Sequence, residues 1–218
     1  MYPENLDGIY FDEIYVHEPG ALISNLAICV FCFAIFVFLG KSMCPFNRDW
    51  KRFILFIGIG AFGGIFTHGF PTYLGETGMF VLWGIKNVFV VLANFYAAIA
   101  VVRKFENFAQ YKKLLIFKAI LVSVSLFAFY NFLPAVIDLA FTYILVIIVL
   151  TSSKSKDRVS RNLLGAFVLA LLSGLLYLIK YDVDRLWFTH KDMVHVFVLI
   201  SLLLISKALV VSKQSSKS

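Results

Sequence analysis

The sequence has few charged residues and almost no polar stretch in which a soluble domain would fold. Charged side chains make up 15% of its 218 residues, whereas soluble domains carry about 25%. Apolar residues make up 61%, and the mean hydropathy is +0.86. This composition excludes an ordinary soluble domain and indicates a chain that folds within lipid.

The start of the chain lacks the features of a secretory leader. Residues 1–19 are acidic and aromatic, without the basic start and short apolar run of such a leader. We therefore expect an N-terminal segment over 1–19, a transmembrane domain over 20–211 whose first span is retained, and a disordered polar tail over 212–218.

Cysteine is scarce, and its three positions carry little chemistry. Cys29 and Cys32 lie one helical turn apart in the first apolar run, and Cys44 lies in the loop that follows. A C-x-x-C pair can form a redox centre or half of a metal site, but here it has no second pair and no polar surroundings. We interpret these residues as small apolar packing residues.

Long apolar runs dominate the remainder. A run of about 20 apolar residues can cross a hydrocarbon core about 30 Å thick. Seven such runs cover approximately 20–40, 53–71, 78–102, 114–131, 133–151, 162–180 and 187–211. The predicted fold is an all-α, polytopic membrane protein, a bundle of seven transmembrane helices.

Lysine and arginine are distributed unequally between the two sides of this bundle. Fifteen of the twenty lie on the side of the C-terminus, three lie in the opposite loops, and two, Lys86 and Lys118, lie within spans. By the positive-inside rule this bias places the N-terminus outside and the C-terminus in the cytoplasm. The membrane topology thus explains the net charge of +7 without a nucleic-acid partner. The three lysines and arginines of the opposite loops are Lys180, Arg185 and Lys191; the fifteen are Lys41, Arg48, Lys51, Arg52, Arg103, Lys104, Lys112, Lys113, Lys154, Lys156, Arg158, Arg161, Lys207, Lys213 and Lys217.

All four histidines, His17, His68, His190 and His195, fall on the outer side in this topology. His68 lies near the outer end of the second span, and His195 lies about two turns into the seventh. Asp192 lies three residues before His195, so the two share a helix face. Ionised groups within a span cost on the order of 2.5–3.5 kcal/mol and are retained mainly where they pair or do chemistry.

Two imidazoles and a carboxylate can form an open zinc site in which water completes the tetrahedron. Zinc bound in this way lowers the pKa of its water to about 7 and supplies hydroxide at neutral pH. The alternative is a wet vestibule, in which these side chains hydrogen-bond to loops and bind nothing. The residue pattern alone leaves both interpretations open.

Three segments resemble the alkaline ceramidases. Residues 17–25, HEPGALISN, are similar to their E-x6-S-N segment, and residues 58–69, GIGAFGGIFTHG, end in a histidine at the place of their second-helix histidine. Residues 187–197, WFTHKDMVHVF, are similar to their H-x3-H helix. Together with seven spans and an outer N-terminus, these segments resemble the CREST superfamily of membrane metal hydrolases, which includes the adiponectin receptors.

The resemblance implies a zinc ion held by three histidines, which activates water against a lipid amide in a cavity open to the bilayer. His68 and His195 match two of these ligands. The position four residues before His195 is Lys191, so the third ligand would be Asp192 or His190. Asp192 shares the face of His195, whereas His190 lies about 140° away on an ideal helix.

The expected helper groups also depart from the family pattern. The family's serine, four residues before the second-span histidine, is Gly64 here, so we expect Thr67 to donate to a developing oxyanion. The family's aspartate, eleven residues after that histidine, is Met79, and Glu76 is the closest carboxylate. Glu76, or whichever of Asp192 and His190 does not bind the metal, would then move the proton.

Glu18 has three interpretations. In the resembling enzymes the matching glutamate binds calcium together with carboxylates of the N-terminal tail. This tail offers Glu4, Asp7, Asp12 and Glu13, and calcium takes oxygen ligands of this kind. Glu18 can instead hydrogen-bond to a zinc-bound histidine, or lie at the positive end of the first helix dipole.

Lys86, Asn87 and Asn94 place further polar groups in the third span, where they line a cavity or satisfy bends of the backbone. The mid-span regions are otherwise mainly apolar and lack the paired carboxylates of a transporter. The predicted function is zinc-dependent hydrolysis of an amide or ester bond of a membrane lipid. The alternative is a non-catalytic seven-helix protein, receptor-like or binding a small ligand or ion, that uses the same pocket.

Overall fold

The computed structural model describes residues 8–40, 44–103, 105–152, 157–180, 182–184 and 186–215. A short antiparallel hairpin comes first, made of β1 (Gly8–Phe11) and β2 (Ile14–His17). Seven α-helices follow within the described residues. They are α1 (Pro19–Phe38), α2 (Pro45–Gly69), α3 (Pro71–Val102), α4 (Phe108–Phe129), α5 (Leu133–Thr151), α6 (Arg158–Ile179) and α7 (His190–Ser215).

The architecture is that of an all-α membrane protein with one small hairpin. Six of the seven described helices, all except α4, are long and apolar enough to cross a membrane. Each predicted apolar run corresponds to one helix, and polar first turns extend several helices beyond their runs, as at Pro45 of α2. At its other end α7 continues to Ser215, so the helix takes in residues 212–215 of the predicted tail.

The apolar runs do not predict the hairpin over 8–17. Eight charged residues that entered the prediction of orientation or of a calcium site lie outside the described residues: Glu4, Asp7, Lys41, Lys104, Lys154, Lys156, Arg185 and Lys217.

Prolines mark where several helices begin. Pro19, Pro45, Pro71 and Pro134 lie in the first turns of α1, α2, α3 and α5. A proline fits there because the first N–H groups of a helix have no intrahelical acceptor. α6 instead begins at a side-chain cap, in which Asp157 accepts a hydrogen bond of 2.7 Å from the backbone N–H of Ser160.

Six helices form a ring, in the order α1, α2, α3, α5, α6, α7 and back to α1, and α4 packs outside it against α3 and α5. Near the end of the ring at which α2 begins, aromatic side chains fill its interior. The rings of Trp50 and Phe167 lie 5.4 Å apart, and Phe53 packs on both. We call the opposite end, where α2 ends and α1 and α7 begin, the histidine end.

The two cysteines of α1 pack as predicted. Cys29 and Cys32 are free and buried in the core. A Cβ atom added to Gly58 of α2 would lie 2.8 Å from the Cβ of Cys32, so these two helices meet closely at small residues.

Candidate functional site

Glu18 and His68 form the first part of the histidine end. Glu18 lies between β2 and α1 with a φ of 32°. This left-handed conformation is uncommon for residues other than glycine, and the contacts of the side chain stabilise it here. Its Oε2 accepts a hydrogen bond of 2.6 Å from Nδ1 of His68, and its Oε1 pairs with the ammonium of Lys191. The predicted contact between Glu18 and a histidine is therefore present.

The contacts of Glu18 determine its protonation. Burial favours the neutral acid, but the hydrogen bonds and charges of His68 and Lys191 outweigh it and lower the pKa of Glu18 to about 2. Glu18 makes no side-chain cap hydrogen bond to α1. Its carboxylate orients His68 and Lys191 rather than capping the helix.

His195 is oriented by a relay of two side chains. Its Nδ1 lies 2.7 Å from Oγ of Ser24, and Oγ lies 3.0 Å from Oδ1 of Asp192. A serine hydroxyl has one proton to donate. If Nδ1–H of His195 donates to Ser24, the hydroxyl can donate to the carboxylate, and all three groups are satisfied.

The relay and the Glu18 contact assign the same tautomer to both histidines. A carboxylate can only accept, so His68 donates from Nδ1, and in the neutral form of each imidazole Nε2 then keeps a lone pair. The ring centroids of His68 and His195 lie 6.5 Å apart, and both side chains line one cavity. The sequence thus correctly predicts that these two histidines meet.

Asp192 does not face this cavity. Its Oδ2 accepts from the backbone N–H and the hydroxyl of Thr189, at 2.9 and 2.7 Å, while Oδ1 faces Ser24. α7 begins at His190, so the bond from the backbone N–H of Thr189 to Asp192 is one half of a capping box at its N-terminus. Asp192 is therefore placed to orient Ser24 and cap α7, not to reach a metal between the histidines.

His190 also points elsewhere. Its backbone N–H and its Nδ1 lie 2.6 and 2.7 Å from Oδ1 of Asp182, and its ring packs 5.7 Å from that of Tyr177. The hydrogen bond from the backbone of His190, followed by that from its ring, holds the pKa of Asp182 below its usual value. His190 is thus held by the loop before α7 and does not line the cavity.

The two predicted helper groups lie away from the cavity lining. The hydroxyl of Thr67 is buried and lies 3.4 Å from the backbone carbonyl of Gly64. Glu76 is exposed beside Gly75, where α3 bends at a φ of 64°. Neither residue lines the cavity that the two histidines share.

The described acidic residues of the N-terminal segment are also separated from Glu18. Gly8 pairs with His17 at the base of the hairpin, while Asp12 and Glu13 form its tip. Four residues of strand span about 13 Å, so the hairpin holds these carboxylates far from Glu18. The other two expected calcium ligands lie outside the described residues.

His17 is the fourth histidine, and it is buried without a hydrogen-bond partner among the described residues. Its ring packs edge-on against that of Tyr15, with centroids 4.5 Å apart. Burial lowers the pKa of His17, although the charge of Glu18 acts in the opposite direction. It does not line the cavity.

The cavity occupies the interior of the helix ring and has a volume of about 400 Å³. On α7 it is lined by Lys191, His195, Val198, Leu202 and Ile205, which recur at the spacing of one helix face. On α2 the lining residues Phe53, Ile57, Gly60, Gly64 and His68 follow the same spacing. Both faces are polar at the histidine end and mainly apolar deeper in the ring, where Ser201 of α7 also lines the cavity.

Small residues shape the polar end. A Cβ atom added to Gly64 would lie 2.3 Å from Oδ1 of Asn25, whose Nδ2 donates to the backbone carbonyl of Ala21 at 2.7 Å. Asn25 therefore fills the space that a serine at position 64 would need. A Cβ atom on Gly20 would lie 2.8 Å from Oδ2 of Asp192, so α1 and α7 approach closely there.

The fit of a metal to this end is incomplete. Among the described residues no group of three or more His, Cys, Asp and Glu side chains converges as a metal site. His68 and His195 supply two imidazoles, but the cationic side chains of Lys86 and Lys191 line the same cavity. The described residues thus do not match a three-ligand zinc site.

The sequence predicts no role for Ser24, and for Lys86 and Asn87 it predicts only that they line a cavity or satisfy bends of the backbone; both line the cavity. Ser24 belongs to the E-x6-S-N segment, and the Thr189–Asp192 spacing is itself a capping-box signal. Both signals are visible in the sequence and point to the contacts found here.

A family of unknown function (DUF6962) matches residues 21–213 of the chain. Comparison with curated proteins and with solved structures gave no match.

Proposed function

The chain belongs to this family of unknown function, and we propose that it binds a lipid-like amphiphile in its intramembrane cavity, with the polar head at the histidine end. The observation that carries this proposal is the one-sided lining. Asn25, His68, Lys86 and His195 lie at one end, and mainly apolar side chains line the deeper part, together with Tyr143 and Ser201. The polar groups match a head group, and the apolar groups match a hydrocarbon tail.

The topology completes the proposal. All seven helices cross the membrane, the N-terminus lies outside, and the site opens toward the extracytoplasmic side. The excess of Lys and Arg at the opposite side supports this orientation. A cysteine introduced at Ser152 should then react with an impermeant maleimide only after permeabilisation of the cell. Labelling in intact cells would show that the orientation is the opposite one.

Filling the cavity tests the binding proposal. A Cβ atom on Gly174 of α6 meets nothing within 4 Å, and this residue lines the cavity. Gly174→Leu should therefore abolish saturable binding of a fluorescent single-chain amphiphile by purified protein in nanodiscs. Gly165→Leu is the matched control on the same helix, since a Cβ there makes an ordinary contact of 3.6 Å with Leu204. Equal binding by both variants would place the ligand outside the cavity.

Zinc-dependent hydrolysis of a lipid amide or ester is the second candidate, and one observation favours it. His68 and His195 both have Nδ1 engaged, by Glu18 and Ser24, so each Nε2 lone pair remains for a ligand. Metal-binding histidines are commonly held in this way. Zinc held there would activate water against a carbonyl group, but the described residues supply two of the three expected ligands.

Metal analysis separates the two candidates. Stoichiometric zinc in wild-type protein that disappears in both His68→Ala and His195→Ala, together with chelator-sensitive release of fatty acid from acyl lipids, would favour hydrolysis. Lys191→His is the informative gain-of-function variant, because it places two histidines four residues apart on the cavity face of α7. Zinc that binds only to Lys191→His would favour amphiphile binding for the natural chain.

A further inference from the structure

We propose that the ligand carries an anionic oxygen head, a carboxylate or a phosphate ester, and that Lys86 and Asn87 of α3 bind it. This inference rests on the proposed function, because it names the head group of the amphiphile. It concerns two adjacent side chains that both line the cavity and have no structural role among the described contacts.

Close packing of α2 and α3 positions Lys86. A Cβ atom on Gly63 would lie 2.7 Å from the Cβ of Lys86, and one on Gly60 would lie 3.3 Å from its backbone carbonyl oxygen. Lys86 is therefore level with Gly63, which lies about 7.5 Å along α2 from His68. The lysine stem begins below the histidines, within the ring of helices.

Both side chains present donors that lack acceptors. Among the described residues the ammonium of Lys86 has no hydrogen bond or ion pair, whereas Lys118, Lys191 and Arg103 each contact a carboxylate. Nδ2 of Asn87 is also buried and has no hydrogen-bond partner among the described residues. The residue as a whole is 3% exposed. A buried donor without an acceptor is unfavourable, and the cavity is the space that both residues share.

The carboxylates of the histidine end already accept from other donors. Glu18 uses both oxygens, on His68 and Lys191. Asp192 uses both oxygens, on Ser24 and Thr189, and does not line the cavity. The ligand can supply the missing acceptor, because an anionic oxygen would pair with the ammonium of Lys86 and accept from the amide of Asn87.

The cavity volume indicates one tail. Small-molecule pockets span roughly 300–1,000 Å³, and a cavity of about 400 Å³ is near the lower limit of this range. A single acyl or alkyl chain suits this space better than a two-chain lipid. The inferred ligand class is a single-chain acid or phosphate monoester.

Head-group selectivity tests the inference. Wild-type protein in phosphatidylcholine nanodiscs at pH 8 is titrated with hexadecanoate, hexadecyl phosphate and hexadecanol, each in competition with a neutral fluorescent amphiphile. At least one anion should bind at least about tenfold tighter than the alcohol. The better of the two anions identifies the head group as a carboxylate or a phosphate.

Variants assign the selectivity to these residues. Lys86→Met should reduce the preference for the anion to within about twofold while hexadecanol still binds, which also shows that the variant is folded. Asn87→Leu should reduce the preference for the anion several-fold. Lys207→Met, at an exposed position of α7, should leave this preference unchanged.

The outcomes distinguish this inference from the proposed function. If none of the three amphiphiles binds, the proposed function fails. If the alcohol binds as tightly as the anions, or if Lys86→Met retains the preference, amphiphile binding stands and the inference about Lys86 is overturned.

Discussion

Lys86 of α3 and Lys118 of α4 both lie well inside apolar helices, and their surroundings are opposite. Lys118 of α4 contacts Oδ1 of Asp138 at 2.6 Å and donates to Oγ1 of Thr142 at 3.0 Å. Asn94 donates to Oδ2 of Asp138 at 2.8 Å, so this carboxylate is enclosed by partners. Lys86 of α3 instead lines the cavity and has no partner among the described residues.

The difference separates a structural role from a binding role. α4 lies outside the helix ring, and the ion pair between Lys118 and Asp138 joins it to α5. An enclosed pair needs no ligand. The ammonium of Lys86 lines a cavity and can bind a ligand there. The proposed head-group site is therefore at Lys86 and not at Lys118.

The largest expected effect is that of breaking the enclosed pair. Lys118→Met leaves the carboxylate of Asp138 buried without its cation and should lower the free energy of unfolding by about 3–5 kcal/mol. Thermal unfolding in detergent measures this loss. The double variant Lys118→Met/Asp138→Leu should recover most of it, because both charges are then replaced by apolar groups. An unchanged melting temperature in the single variant would show that the pair contributes nothing to the attachment of α4.

The next effect concerns Glu18 and depends on pH. Lowering its pKa from 4.5 to about 2 on folding corresponds to about 3 kcal/mol. Because the folded-state pKa is the lower one, this stability is complete above pH 4.5 and is lost as the pH falls toward 2. The free energy of unfolding of wild type should therefore exceed that of Glu18→Gln near neutral pH, and the gap should close in acid. A gap that stays constant between pH 6 and 3 would contradict the ion-pair assignment.

The smallest expected effect is that of Lys86→Met on the protein without ligand. Removing a lysine that has no protein partner should change the free energy of unfolding by no more than about 1 kcal/mol, and an apolar replacement can stabilise. The same thermal unfolding experiment compares it directly with Lys118→Met. A loss as large as that of Lys118→Met would mean that Lys86 is structural, and the contrast between the two lysines would disappear.

The helices and the meeting of His68 with His195 could be predicted from the sequence. Apolar runs fix which segments become helices, and alternation of direction then decides which helix ends lie together. His68 ends one run and His195 begins another, so both come to the same end of the bundle.

The remainder of the site depends on short-range competition between side chains. Asp192 lies on the helix face expected of a metal ligand, but one of its oxygens accepts hydrogen bonds from the N–H and the hydroxyl of Thr189. His190 is held by Asp182 in the preceding loop. Periodicity alone does not decide between such alternatives, because it gives the face of a side chain and not its partner.

Photo-crosslinking tests the central claim, an amphiphile inside the ring of helices, most directly. A hexadecanoate analogue with a diazirine near the middle of its chain is irradiated with the protein in nanodiscs, and the labelled residues are identified by mass spectrometry. The account predicts labelling of the cavity-lining residues Ala170, Leu202 and Ile205, suppressed by excess unlabelled ligand and by Gly174→Leu. Labelling confined to the exposed residues Ile200 and Leu203 on the outer face of α7 would contradict it.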